Sequence, residues 1–155
     1  MKRFLFISAV FAIMLTFVNC DKYDYGRPDR GIRKNFNTMF PDARDAEWDR
    51  EGGYWVVSFE TGPRWNDTDH EAWYNDAGEW VQTKTDMYLN SVPREIRDFL
   101  TSDSTFGNAA FEDDDVEYIQ KPSGNFYRFD MRLDGREVNV DVTEDGEVKA
   151  AKYGF

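Results

Sequence analysis

Two apolar patterns sixty residues apart restrict this chain more than any other feature. Ile32, Phe36, Met39 and Phe40 stand at offsets 0, 4, 7 and 8, and Val92, Ile96, Phe99 and Leu100 repeat those offsets. Side chains so spaced share one face of an α-helix. Asp29 is a good N-cap for the first helix. Pro41 disfavours helical geometry at Phe40 and closes it. Pro93 suits the opening turn of the second, where its missing N–H costs nothing.

Strand patterns follow each helix. In the first half they fall at 45–50, centred on Trp48, at 54–60, at 72–74 and at 80–87. Trp55, Val57 and Phe59 alternate with Tyr54, Val56, Ser58 and Glu60, the period of a strand. Gly52-Gly53 and Asp76-Ala77-Gly78 supply turns. In the second half the strands fall at 116–120, 126–133, 137–142 and 147–153, with turns at Ser123-Gly124-Asn125, Asp134-Gly135 and Asp145-Gly146. Asp-Gly between alternating runs is a strong hairpin signal. The segments 74–80 and 142–148 also align with each other. The expectation is an α+β fold made of two tandem helix-plus-four-stranded repeats, 31–88 and 89–155. Its antiparallel sheet carries both helices on one face.

The N-terminus reads as an address. Lys2 and Arg3 precede an almost wholly apolar run from Phe4 to Val18, interrupted by Ser8 and Thr16. That run is short for a membrane span, which needs about 20 residues, and fits a signal peptide over 1–20. Cys20, after Phe17-Val18-Asn19, is placed like the lipidated cysteine of a bacterial lipobox, although Asn19 stands where a small residue is usual. Simple cleavage just after Cys20 is the other reading. Residues 21–30 are polar and read as a tether. The protein is thus expected to be exported, as a periplasmic protein or an outer-membrane lipoprotein.

Charge and rare residues narrow the function. The formal charge is −11, and −13 without Lys2 and Arg3. So acidic a chain repels phosphate backbones and anionic lipid, which argues against nucleic acid and leaves a membrane only through an anchor at Cys20. Cys20 is the only cysteine and His70 the only histidine. Neither a disulfide, nor a thiolate metal site, nor a His-rich zinc site can be built. No serine stands in a nucleophile elbow, so no enzyme activity and no cofactor is expected.

In order and spacing, Phe36-x3-Phe40-Pro41-x-Ala43-x4-Trp48, then Trp55-x-Val57-Ser58-Phe59, then Tyr74-Asn75-x-x-Gly78-x-Trp80 resemble the PepSY-like proteins. These are secreted or lipid-anchored bacterial proteins, typical of gut Bacteroidetes and related to the β-lactamase-inhibitor-protein fold. The resemblance covers roughly residues 32–153. It implies the tandem helix-plus-sheet fold and a non-catalytic role, with protease restraint or enzyme binding across a concave sheet as the tasks associated with such folds. The segment 102–115 is longer and more acidic than that pattern.

Trp48, Trp55, Phe59 and Tyr127 have the phase of the helix-packed face and read as core. Tyr54, Val56, Trp73 and Phe126 have the opposite phase and form an apolar strip if that face is open; such strips mark partner surfaces. Arg128, Asp130, Arg132, Asn139 and Asp141 share the phase and can form cross-strand ion pairs. The expected partner-binding residues are therefore Tyr54, Val56, Trp73, Phe126 and Arg128. The partner would be an envelope protein such as a protease or another enzyme.

An alternative is a small-ligand or calcium sensor. Asp67, Asp69 and Glu71 alternate as in calcium loops, but Ala72 and Gly78 stand where an EF-hand needs glycine and glutamate. Glu112 to Asp115 is a second acidic run, read as solvated loop. His70 beside Asp69 is the one pair with a catalytic look.

Overall fold

A computed structural model of the protein describes residues 26–151. The expected signal peptide, Cys20 and the first part of the tether lie outside the described residues. Helix α1 (Arg30–Met39) starts at Asp29, whose carboxylate accepts the Ile32 amide at 3.0 Å. It ends at Phe40, whose amide donates to the Phe36 carbonyl at 2.8 Å just before Pro41. Pro28, inside the expected tether, is already buried. Strands β1 (Arg44–Glu51), β2 (Tyr54–Thr61), β3 (Thr68–Tyr74) and β4 (Trp80–Tyr88) follow. A 3-10 turn, Leu89–Ser91, leads to α2 (Arg94–Ser102), with Pro93 at its N-cap. Then come β5 (Ala110–Gln120), β6 (Phe126–Leu133), β7 (Arg136–Thr143) and β8 (Val148–Ala150).

The strands form one sheet in the order β1 to β8, every neighbouring pair antiparallel. Both helices lie on the same face of it. Ile32 and Phe36 of α1 pack with Val57, Phe59, Ala72 and Tyr74, and Trp48, Trp55 and Trp80 close around them. Phe36 meets Trp48 and Phe59 edge to face, at 5.4 and 5.1 Å between ring centroids, a favoured aromatic geometry. Val92, Ile96 and Leu100 pack with Tyr127, Phe129, Met131, Val140 and Val142 in the second cluster. The phase assigned to Trp48, Trp55, Phe59 and Tyr127 is that of the helix-covered face. The third position of each helical pattern is less covered, with Met39 45% and Phe99 40% exposed at the rim.

Corresponding turns receive the two helices. At β3–β4 the Asn75 amide donates to the Glu79 carbonyl and the Gly78 amide to the Asn75 carbonyl, at 3.0 and 2.9 Å. At β7–β8 Thr143, Glu147 and Gly146 make the same two bonds, both at 3.0 Å. The polar side chains of Asn75 and Thr143 each accept the amide four residues on, at 2.9 Å. Gly78 and Gly146 hold φ of +81° and +92°, conformations that favour glycine.

Two stretches differ from the sequence expectation. β3 starts at Thr68 rather than 72, and β5 at Ala110 rather than 116. Both acidic runs therefore lie in or against strands, not in free loops. Charged side chains tolerate a strand whose outer face is wet, because alternate residues point to solvent. Glu112 to Asp115 does interrupt the ladder: Phe111 pairs with Met131 and Val116 with Phe129, so the residues between them bulge. β8 spans Val148–Ala150, with the Ala151 amide adding one bond to the Asn139 carbonyl at 2.7 Å; residues 152–153 of the expected strand lie outside the described residues.

Candidate functional site

The candidate site is the sheet face that, among the described residues, carries no helix. Strand register dictates its composition, since residues facing away from the two cores must share this side. Val56 pairs with Trp73, and Trp73 with Gln82. Ile119 pairs with Phe126, and Arg128 with Asp141. Tyr54, Val56, Trp73, Phe126 and Arg128 thus stand on one face, as their phase requires.

Their exposure is not that of an open apolar strip. Val56 is 5% and Trp73 2% exposed, while Tyr54, Phe126 and Arg128 are partly exposed. Long polar side chains cover part of the apolar centre: the Lys84 ammonium sits 5.2 Å from the Trp73 ring centroid, and the Arg128 guanidinium 5.5 Å from that of Phe126. Such cations attract the ring face and bury their own alkyl stems. Arg128 also grips Asp141 with two bonds, of 2.8 and 3.1 Å. That bidentate pair holds the Arg128 guanidinium more firmly protonated than usual.

Beside this patch the face opens into a groove of about 590 Å³ between the ends of β3 to β7. Seven carboxylates line it against two cations, Lys84 and Arg128. Lys84 is held by Glu117 at 3.3 Å. Asp86 lies directly across from Glu117, and Glu60 across from Asp69. Like charges opposite one another on neighbouring strands destabilise a sheet.

The carboxyl pKa values shift accordingly. Partial burial, then Glu117 and Asp69, push the Asp86 carboxyl above its usual range. Burial, then Asp113 and Glu117, do the same to Asp130. Glu71 is raised mainly by burial, against a lowering by Lys84. Tyr88, at 67% exposure, stands on the rim as an uncovered aromatic.

The other expected site residues are dispersed. Asp69 and Glu71 face the groove side, but His70 between them faces the helix side. Its two ring nitrogens share hydrogen bonds with the Thr61 and Thr85 hydroxyls, both at 2.8 Å, and its ring stacks on Phe59. Burial holds its pKa below the ordinary histidine value, against the pull of Asp69. A His70–Asp69 catalytic pair is not formed, because adjacent strand residues point to opposite faces. Among the described residues no group of three His, Cys, Asp or Glu side chains is arranged to hold a metal ion. Of the alternative calcium-loop residues, Asp69 and Glu71 lie in β3 on one face of the strand, and Asp67 stands just before it.

Sequence reasoning missed the acidic groove. Its signal was present, in that Asp86, Asp115, Glu117 and Asp130 all have the non-core phase of β4, β5 and β6. Only the register, with Asp86 beside Glu117 and Tyr88 beside Asp115, brings them together.

No protein-family model matches the chain, and no curated protein matches it significantly. Solved structures do. A BLIP-like protein from Bacteroides fragilis superposes with a TM-score of 0.70 at 20% identity, over 84% of this chain and 92% of its own. A DUF2874 family protein from Bacteroides ovatus gives 0.66 at 20% identity, over 81% and 89%. A protein from Bacteroides eggerthii, provisionally described as periplasmic, gives 0.65 at 19% identity over the same shares. An open eight-stranded antiparallel sheet with two helices on one face is therefore the fold this chain shares with BLIP-like proteins.

Proposed function

We propose that the protein is a non-catalytic envelope module that binds another protein across the open face of its sheet. The observation that carries this reading is the groove. It concentrates carboxylates that repel one another on a face that none of the described helices covers, and sets an exposed Tyr88 on its rim. A partner presenting lysine or arginine side chains would relieve the repulsion between Asp86 and Glu117 and around Asp130. Complementary potentials of this kind steer encounter and fix orientation. Tyrosine at the edge of such a patch has the amphipathic surface from which interaction hot spots are drawn.

The likeness to a BLIP-like protein and to one provisionally described as periplasmic supports a binding module outside the cytoplasm. We read residues 1–20 as an export leader that would carry it to the envelope, with Cys20 as the lipidation site in the lipoprotein form. We further read 31–88 and 89–155 as a tandem duplication of a PepSY-like unit, since the turns at Gly78 and Gly146 repeat each other bond for bond. Partners of this chemistry include an envelope protease or another enzyme with a basic rim.

The test is capture from envelope extract by the chain from Asp21 onward, beside a variant carrying Asp86→Lys, Asp130→Lys and Tyr88→Ala. All three positions are exposed, and circular dichroism of the variant checks that its fold is kept. A protein caught by the native bait, lost with the variant and released by salt supports the reading. Equal capture by both baits, with matched circular dichroism spectra, refutes it.

A further inference from the structure

We propose that the outer face of α1 rests on an anionic lipid surface. α1 reads RGIRKNFNTM and holds three cations and no acid, in a chain with 30 acidic and 19 basic residues. Arg30, Arg33 and Lys34, with Asn37 and Thr38, line a shallow depression of about 360 Å³ on the side away from Ile32 and Phe36. Arg27, exposed just before the cap, extends the stripe. Among the described residues none of these four cations is ion-paired. α2, by contrast, carries Arg94 paired with Asp98 at 3.4 Å, and Glu95 in its first turn.

Helix stability does not account for the stripe. Cations in the first turns oppose the helix dipole, which favours acids there. The acid four residues before Arg33, Asp29, makes no ion pair with it and has its carboxylate on the Ile32 amide as the N-cap. A ligand of opposite charge does account for it, and the chain's course says which. The stripe begins where the chain enters the fold, at the buried Pro28 and the cap Asp29. Ten residues separate Cys20 from Arg30, and ten residues reach at most about 35 Å when extended. In the lipid-anchored form, an acyl group on Cys20 would hold the membrane within a short tether of this face.

Net charge alone argues for repulsion, but the charges are segregated. The acidic groove lies on the opposite face of the sheet. α1 alone is about 10–12 Å across, already more than the roughly 8 Å screening length at physiological salt. The bilayer would meet the local positive stripe, not the distant carboxylates.

The test is co-sedimentation of the chain from Asp21 to Phe155, which contains every described element, with vesicles. One set is phosphatidylcholine; the other has a third of it replaced by phosphatidylglycerol. Binding to the anionic set alone, abolished by high salt, is expected. Each cation near an anionic surface strengthens partitioning about fivefold, so Arg30→Glu/Arg33→Glu/Lys34→Glu should weaken it by tenfold or more. That variant puts acids where the dipole favours them, so lost binding is not lost folding. Equal binding to both vesicle types, undiminished binding by the reversed variant, or no binding to either would overturn the proposal. So would capture of an acidic soluble protein by the stripe while anionic vesicles are ignored.

Discussion

Trp73 illustrates how a correct phase can carry a wrong exposure. Alternation along β3 puts its side chain on the face without helices, and the register sets it between Val56 and Gln82. Yet it is among the most buried residues of the protein, roofed in part by Lys84. An exposed binding tryptophan would leave stability nearly unchanged on truncation. A buried one leaves a cavity, so Trp73→Ala should lower the unfolding free energy by about 3–5 kcal/mol, read from denaturant melts. His70 gives a second residue-scale test, because it is the only histidine and yields a single imidazole signal. Its folded pKa is lowered by burial, so its midpoint by NMR titration should lie below the reference 6.5. The stability that the neutral ring contributes is full above 6.5 and is lost as pH falls from there toward the folded value. A midpoint at or above 6.5 would contradict the packing against Phe59 and the two threonines.

Helix positions, turn glycines and most strands were legible in the sequence, because each is encoded locally: 3.6-residue spacing, Asp-Gly pairs, alternation. Asp134 and Gly135 both take positive φ, +50° and +76°, as a tight hairpin of that sequence requires. The groove was not legible, because it depends on which residues of β4, β5 and β6 stand side by side. The bulge at 112–115 also shifts β5 against β6 in a way no alternation announces. Helix docking onto the turns is likewise non-local, and it is testable. A Cβ at Gly146 would lie 2.9 Å from the Phe99 ring, whereas one at Gly135 would meet nothing within 4 Å. Both sites strain alanine through positive φ, so the difference between them isolates the contact. Gly146→Ala should cost about 1–3 kcal/mol more than Gly135→Ala. Adding Phe99→Leu to the former should recover part of it. Equal melting midpoints for the two alanine variants would mean that α2 does not press on that turn.

At the scale of the molecule, the charge distribution sets the response to pH. Glu71, Asp86 and Asp130 have folded pKa values raised above 4.5, 3.8 and 3.8. The folded state therefore holds those protons more tightly than the unfolded chain. Stability grows as pH falls through the raised values, and the gain is complete once pH passes below the unfolded ones. Asp76 and Glu112 run the other way. Arg50 and Arg132 lower their pKa values, so what they contribute is full above 3.8 and 4.5 and is lost as pH falls toward the folded values. His70 removes stability first, below 6.5. The melting midpoint should thus dip below pH 6.5, recover as the groove carboxylates take up protons, and fall again in stronger acid. Asp86→Asn with Asp130→Asn should raise the midpoint at pH 7 and shrink the mid-acid recovery to the part that Glu71 contributes. Because these carboxyls are largely solvated, the gain should be a few degrees at most, about what 1 kcal/mol gives in a chain of this size, and smaller still in high salt. A double variant that melts lower than the native chain at pH 7 would show that the groove carboxylates hold the sheet together instead of straining it. The binding face would then have to be sought elsewhere.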